Sequence, residues 1–145
     1  MSIIKYNNEE LKLLARLMRA EAEGEGELGM LMVGNVGINR VIARCSDFKG
    51  IKTIKQMVFQ RPGGFESTLK SYFYQKARNI DIKLAKRCVK GETFHPATKA
   101  LWFYSTSGDC KSSWWGAWNT GKYKMHCFYT PTESENCYWK ENYDY

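Results

Sequence analysis

The sequence holds no apolar segment of the kind that exports or anchors a protein. Its first ten residues, Met1-Ser2-Ile3-Ile4-Lys5-Tyr6-Asn7-Asn8-Glu9-Glu10, contain no apolar h-region and no small-residue cleavage site. No run approaches the ~20 apolar residues that a membrane span needs. On this reading the chain is synthesised in the cytoplasm without a signal peptide and crosses no membrane. Metal-ligand patterns are missing as well: there is no Cys-x-x-Cys, no His-x-x-x-His, and the only histidines are His95 and His126. No metal site and no cofactor is therefore expected. With no linker, internal repeat or low-complexity stretch, residues 1–145 read as one domain, long enough to bury roughly 70% of its unfolded surface.

What is present is an excess of positive charge. Lys and Arg number 22 against 15 Asp and Glu, a net charge of +7. That balance favours a polyanionic partner, whether nucleic acid, an anionic membrane or a cell-wall polymer carrying peptide carboxylates. The basic residues are scattered and form no recognised nucleic-acid motif, so nucleic acid is not the expected partner. The five cysteines, Cys45, Cys88, Cys110, Cys127 and Cys137, are odd in number. Free thiols are expected at synthesis, while later oxidation could join the four other than Cys88 in two pairs of unassigned connectivity. Cys127 beside His126 makes a poor thiol–imidazole pair, because neighbours on a strand point to opposite faces.

Periodicity divides the chain near residue 90. Asn8 is read as the cap of a helix that gathers Leu11, Leu14, Ala15, Leu17 and Met18 on one face, with Gly24 and Gly26 interrupting it. A second helix runs from near Glu27 to about Ala43. Gly34 and Gly37 cost it ~1 kcal/mol each against Ala, which points to a close helix contact at those positions. Cys45 to Gly64 reads as loop with a short helix over Ile54–Phe59, ended by Arg61-Pro62-Gly63-Gly64. Further helices are expected over Glu66–Lys76 and Ile80–Lys90, with Gly91 as the stop. Beyond it, Leu101–Tyr104 and Cys127–Tyr129 are aromatic runs of strand type. Between them Ser105–Asn119 reads as a loop carrying Trp114, Trp115 and Trp118. A helical body with a small antiparallel sheet makes the class α+β.

Chemistry concentrates at the acidic cluster Glu21-Ala22-Glu23-Gly24-Glu25-Gly26-Glu27. Gly24–Gly29 satisfies G-x-G-x-x-G, but a helical pattern precedes it where a dinucleotide fingerprint needs a strand, and its two glutamates would repel a pyrophosphate. A solvated helix end is the plain alternative. Glu21, however, falls one turn past Leu14, Leu17 and Met18, so it can point into a crevice. A carboxyl held against apolar walls is pushed towards its protonated form, which glycosidic acid catalysis requires. Glu25, four residues on, is near enough to serve as a second carboxylate.

These residues resemble a known family. Leu14-Ala15-Arg16-Leu17-Met18-Arg19-Ala20-Glu21-Ala22-Glu23-Gly24-Glu25-Gly26 and Gly29-Met30-Leu31-Met32-Val33-Gly34-Asn35-Val36-Gly37-Ile38-Asn39-Arg40 look like the signature of the SleB/CwlJ cell-wall hydrolases. The likeness continues at Cys45–Gly50, Phe65-Glu66 and Tyr72–Arg78, and ends at Lys122–Tyr129. It covers about residues 10–137, and the short length is similar to the CwlJ branch. The resemblance implies a compact fold like those of lysozyme and lytic transglycosylases, acting on spore cortex peptidoglycan during germination. It places the catalytic glutamate at Glu21, a second acid at Glu25 and a family histidine at His126. Where the family usually has Tyr-Gln-Pro, this chain reads Phe59-Gln60-Arg61-Pro62-Gly63-Gly64-Phe65, and its Phe103-Tyr104-Ser105-Thr106 departs from a Tyr-Phe-Asn-Pro-like strand.

The expected reaction is cleavage of the β-1,4 bond between N-acetylmuramic acid and N-acetylglucosamine. A lytic transglycosylase needs only Glu21, whereas a water-using hydrolase would need Glu25 as its second carboxylate. A wall-binding coat protein without catalysis is the remaining alternative. Phe65, Tyr104, Trp114 and Trp115 are the candidate sugar-stacking walls, and His126 is a candidate for orienting a carboxylate or a sugar hydroxyl. The expected location is the coat and cortex region of a spore, with spore-coat proteins as candidate partners.

Overall fold

The computed structural model describes residues 2–43, 46–61, 64–132 and 137. Helix α1 (Asn8–Ala22) starts one residue earlier than the cap reading places it: Asn7 is the N-cap. Its side chain accepts the Glu10 N–H at 2.8 Å, and Glu10 returns a bond to the Asn7 N–H at 3.3 Å. This reciprocal box needs an acid three residues past the cap, and only Asn7 has one there; Asn8 would meet Leu11. Leu11, Leu14, Ala15, Leu17 and Met18 are all buried, so the apolar stripe read from the sequence is the face α1 gives to the core. A 3₁₀ turn at Glu23–Glu25 then leads into α2 (Gly26–Ile42).

Helix α2 is buried continuously from Gly29 to Ile42. It lies between two layers, which is why it is apolar nearly all round. One side packs Met30, Leu31, Val33, Ile38 and Val41 into a cluster with α1 and α4 (Asn79–Val89). The other presents Met32 and Val36 to Ala97, Ala100 and Phe128 beneath the sheet. The close contact inferred at its glycines is present: a Cβ on Gly34 would stand 2.5 Å from Cys88 Sγ, and one on Gly37 2.9 Å from Met57 Cε.

Helix α3 (Ile54–Val58) is capped by Thr53, whose side chain accepts the Gln56 N–H. Of the surrounding loop, Cys45, Pro62 and Gly63 lie outside the described residues. The helix expected over Glu66–Lys76 is instead two 3₁₀ turns, Glu66–Leu69 and Ser71–Tyr74, with Lys70 extended between them. Tertiary demand overrides propensity here. Phe73 is fully buried, and its carbonyl accepts a bond from Arg16 Nε at 2.9 Å rather than from a following helical turn.

The sheet is antiparallel, in the order β1-β4-β3-β2, with β1 Trp102–Ser105, β2 Ser113–Trp114, β3 Ala117–Tyr123 and β4 His126–Thr130. The stretch Ser105–Asn119 is therefore not simply a loop, since it holds β2 and the start of β3. Trp114 pairs with Ala117 across the two-residue turn Trp115-Gly116, both of which have positive φ (53° and 84°), the geometry of a tight hairpin. A tryptophan in a position that favours Asn or Gly is what hides this hairpin from a sequence reading.

Cys88 is a buried free thiol, and burial among apolar side chains pushes its pKa up to about 12. The structure is the oxidised form that the sequence left open: Cys110 is bonded to Cys127, and Cys137 is also disulfide-bonded, while Cys88 is free. No helix among the described residues is long and apolar enough to cross a membrane.

Filling the Gly34 contact tests the packing. Gly34→Ala should cost about 1–3 kcal/mol, because the new methyl must displace Cys88 and Met18 rather than fill a void. A chemical-denaturation midpoint at or above that of the parent protein would contradict it.

Candidate active site

The last turns of α1 and α2, residues 64–66 and the strands β1 and β2 enclose a cavity of about 520 Å³. It is lined by Glu21 and Arg40 with Gly64, Phe65, Glu66, the whole of β1 and Trp114. Glu21 follows the buried face of α1 by one turn, since Leu17 and Met18 lie four and three residues before it. The helix therefore aims its carboxylate into the interior while leaving it half-buried. Oε2 accepts the backbone N–H of Ser67 at 3.3 Å, which ties the acid to the turn opposite.

Arg40 rises from α2 into the same cavity and is 5% exposed. Its Nε donates to the Leu101 carbonyl at 2.8 Å, and its guanidinium lies 4.9 Å from the Phe48 ring centre and 4.5 Å from that of Phe65. Burial pushes its pKa down to about 10, against the pull of the Glu21 and Asp47 carboxylates. It therefore remains a cation at neutral pH, placed to act on Glu21 through a medium of low polarity.

Three of the four candidate aromatic walls line the cavity. Phe65 is buried against Phe103, with centroids 6.1 Å apart. Tyr104 stacks on Tyr129 at 5.5 Å and meets Trp114 edge-on at 4.9 Å. The Tyr104 hydroxyl accepts the Lys111 N–H at 3.0 Å and lies 3.1 Å from that of Tyr129, which donates to the Lys111 carbonyl at 2.6 Å. The bond from Lys111 holds the Tyr104 phenol below its ordinary pKa, whereas burial raises that of Tyr129. Trp115 stands apart. At the hairpin tip it is 89% exposed and does not line the cavity.

Glu25 and His126 are brought together, but away from the cavity lining. Glu25 is 9% exposed; one carboxylate oxygen accepts the Met125 N–H at 2.8 Å and the other contacts His126 Nδ1. Its backbone carbonyl also accepts from Lys124 Nζ at 3.1 Å. The pair thus fastens the α1–α2 junction to the β3–β4 turn. The strand alternation expected of residues 126 and 127 is observed, for His126 faces Glu25, Phe103 and Phe128 while Cys127 bonds Cys110 on the other face.

Sequence reasoning passed over Arg40, Glu66, Trp102 and Phe103. Each lay within a quoted motif or an aromatic strand run, but nothing in one-dimensional spacing distinguishes a cavity-facing position from a core one.

The backbone resembles solved catalytic domains. It matches that of the Bacillus cereus SleB protein with a TM-score of 0.69, covering 90% of this chain and 98% of that one at 21% identity. It matches that of the germination-specific lytic transglycosylase SleB from Bacillus anthracis with a TM-score of 0.65, covering 86% and 97%, again at 21% identity. This likeness defines the fold, a single α+β domain of the lysozyme-like kind. The sequence defines the family. Residues 24–129 match the Cell Wall Hydrolase model, and the chain is 60% identical to the cell wall hydrolase CwlJ of Oceanobacillus iheyensis over 93% of its length and 96% of the relative's. Against the CwlJ of Bacillus subtilis identity is 49%, over 94% and 95%. The chain belongs to the cell wall hydrolase family. The matched residues begin three positions after Glu21, so they bear on the fold around that acid and not on the acid itself.

The Glu25–His126 contact yields a pH prediction. Burial outweighs the pull of Glu25 and Glu21 and lowers the His126 pKa from its ordinary 6.5, so the fold favours the neutral ring. The unfolded chain then binds the extra proton first, and the contribution, complete above about pH 6.5, is lost as acid protonates His126. Stability should therefore fall as the pH drops below about 6.5, more steeply in the parent than in His126→Gln. Parallel melting-temperature profiles for the two proteins would exclude this.

Proposed function

We propose that this protein cleaves the β-1,4 bond between N-acetylmuramic acid and N-acetylglucosamine in spore cortex peptidoglycan, acting as a lytic transglycosylase with Glu21 as general acid and base. The observation that carries this reading is one half-buried carboxylate, held by a backbone N–H, at an aromatic-walled cavity of about 520 Å³. In the proposed cycle the Glu21 carboxyl gives its proton to the bridging oxygen, which keeps the electron pair of the breaking C1–O bond. The muramyl O6 then attacks C1, and its proton returns to Glu21. The products are a free hydroxyl and a 1,6-anhydro ring, with no water consumed.

Phe65, Tyr104 and Trp114 supply ring faces and edges for sugar, as expected of a carbohydrate site, and the net charge of +7 suits a polymer bearing peptide carboxylates. Trp115, exposed at the hairpin tip, would touch only a glycan extending beyond the cavity. Glu25 supports the one-acid reading by its engagement: a carboxylate already bound to Met125 N–H and His126 is poorly placed to activate water. His126 in turn has a positioning role through Glu25. The names of the relatives support a cell-wall substrate, and a germination role at the coat and cortex, with coat proteins as neighbours, belongs to the same proposal.

Glu21→Gln keeps shape but removes the proton that must move, so activity on cortex fragments should drop by ~10²–10⁴-fold with folding intact. Glu25→Gln should cost about 10-fold through displaced geometry, with anhydro-muramyl products still the main species by mass analysis. Near-normal lysis by a folded Glu21→Gln protein would sink the acid assignment. Reducing ends as the main wild-type product would replace the transglycosylase with a hydrolase.

A further inference from the structure

The cavity has a second carboxylate for which the cycle above provides no role. Glu66 lines it together with Glu21 and is exposed to solvent. It opens the 3₁₀ turn Glu66–Leu69, and the next residue of that turn, Ser67, donates its N–H to Glu21 Oε2 at 3.3 Å. Covalent geometry then fixes the neighbourhood. Glu66 Cα is two bonds from Ser67 N, so it lies within about 6 Å of Glu21 Oε2, and the side chain extends up to about 4 Å beyond it. Both acids therefore reach the part of the cavity where a sugar engaged by Glu21 must sit.

The turn is firmly held. Phe65, immediately before Glu66, is buried under the Arg40 guanidinium and against Phe103. The Thr68 N–H and hydroxyl both donate to the Phe65 carbonyl, at 3.3 and 2.8 Å, and Arg61 bonds the Thr68 hydroxyl in turn. The backbone that carries Glu66 is thus held in place, which limits the reorganisation its carboxylate needs to meet a transition state.

Electrostatics gives that charge a use. Breaking the C1–O bond leaves positive charge shared between C1 and the ring oxygen. The buried Arg40 cation lines the same cavity and opposes that charge. Glu21, once it has given up its proton, faces the departing oxygen. We infer that Glu66 is a second catalytic residue, whose carboxylate stabilises the positive charge developing on the muramyl ring while Glu21 transfers the proton. Glu66 gains no proton and forms no bond. The inference rests on the reading of Glu21 as the acid.

The test compares Glu66→Gln, Glu66→Asp and Glu21→Gln on cortex fragments. Glu66→Gln should lower kcat by ~10²-fold with KM changed less than ~3-fold. Its melting temperature should stay at the parent value, Glu66→Asp should recover part of the rate, and the residual products should keep their anhydro-muramyl ends. A fully active Glu66→Gln protein beside an inactive Glu21→Gln overturns the role of Glu66 alone. Azide rescue of Glu66→Ala with formation of a glycosyl azide would also overturn it, by making Glu66 a nucleophile or base. An active Glu21→Gln protein would instead remove the acid on which the inference rests.

Discussion

Helix α2 carries three polar side chains, Asn35, Asn39 and Arg40, into an interior where each needs a partner. They find one in the backbone of residues 92–101. Asn35 donates to the Glu92 carbonyl and accepts the Phe94 N–H, both at 2.8 Å. Asn39 meets the carbonyls of Ala97, Thr98 and Ala100, the last at 2.8 Å, and Arg40 takes that of Leu101. Leaving any one of these groups unmatched would cost about 1–3 kcal/mol, so the segment entering β1 has one arrangement that satisfies them all. The sheet is positioned by this row of bonds. Because β1 is a cavity wall, so is the distance from the sheet to Glu21.

A second fastening works from the opposite end. Glu25 and His126 join the α1–α2 junction to the β3–β4 turn, and Lys124 and Met125 add two bonds to the same glutamate. Between the two fastenings the cavity has a rigid floor, with Arg40 belonging both to the floor and to the row of bonds that builds it. On the outer face the Cys110–Cys127 bond and the Tyr104–Tyr129–Lys111 cluster hold the loop before β2, which brings Trp114 to the rim. The aromatic wall is thus braced from behind.

The acids of the cluster at residues 21–27 have different fates for a geometric reason. Glu21 is still on the helix, one turn past the buried stripe, and so points inward. Glu23 lies past the helix end and pairs with Arg19 and Arg78 near the surface. Glu25 ends the 3₁₀ turn, where the chain reverses direction and delivers its side chain to the sheet. Equal residues at intervals of two along the chain thus serve a cavity, a surface network and an interlayer bond.

The sequence by itself determined helices α1, α2 and α4 and the buried face of α1, because an apolar stripe of period 3.6 has only one way to be buried. Leu14, Leu17 and Met18 were legible in this way, the crowded glycines of α2 as a cost that called for a close contact, and the strand runs at 101–104 and 127–129 as the cores of β1 and β4. The motif around Glu21 was legible too, as a spacing of residue types. Only the tertiary structure decided what those residues face. It committed Glu25 to His126, placed Trp115 outside the cavity and put Glu66 and Arg40 inside it. It also split Glu66–Lys76 into two turns and paired Cys110 with Cys127. Each of these depends on contacts between residues far apart in the chain, and local propensity carries no record of such contacts.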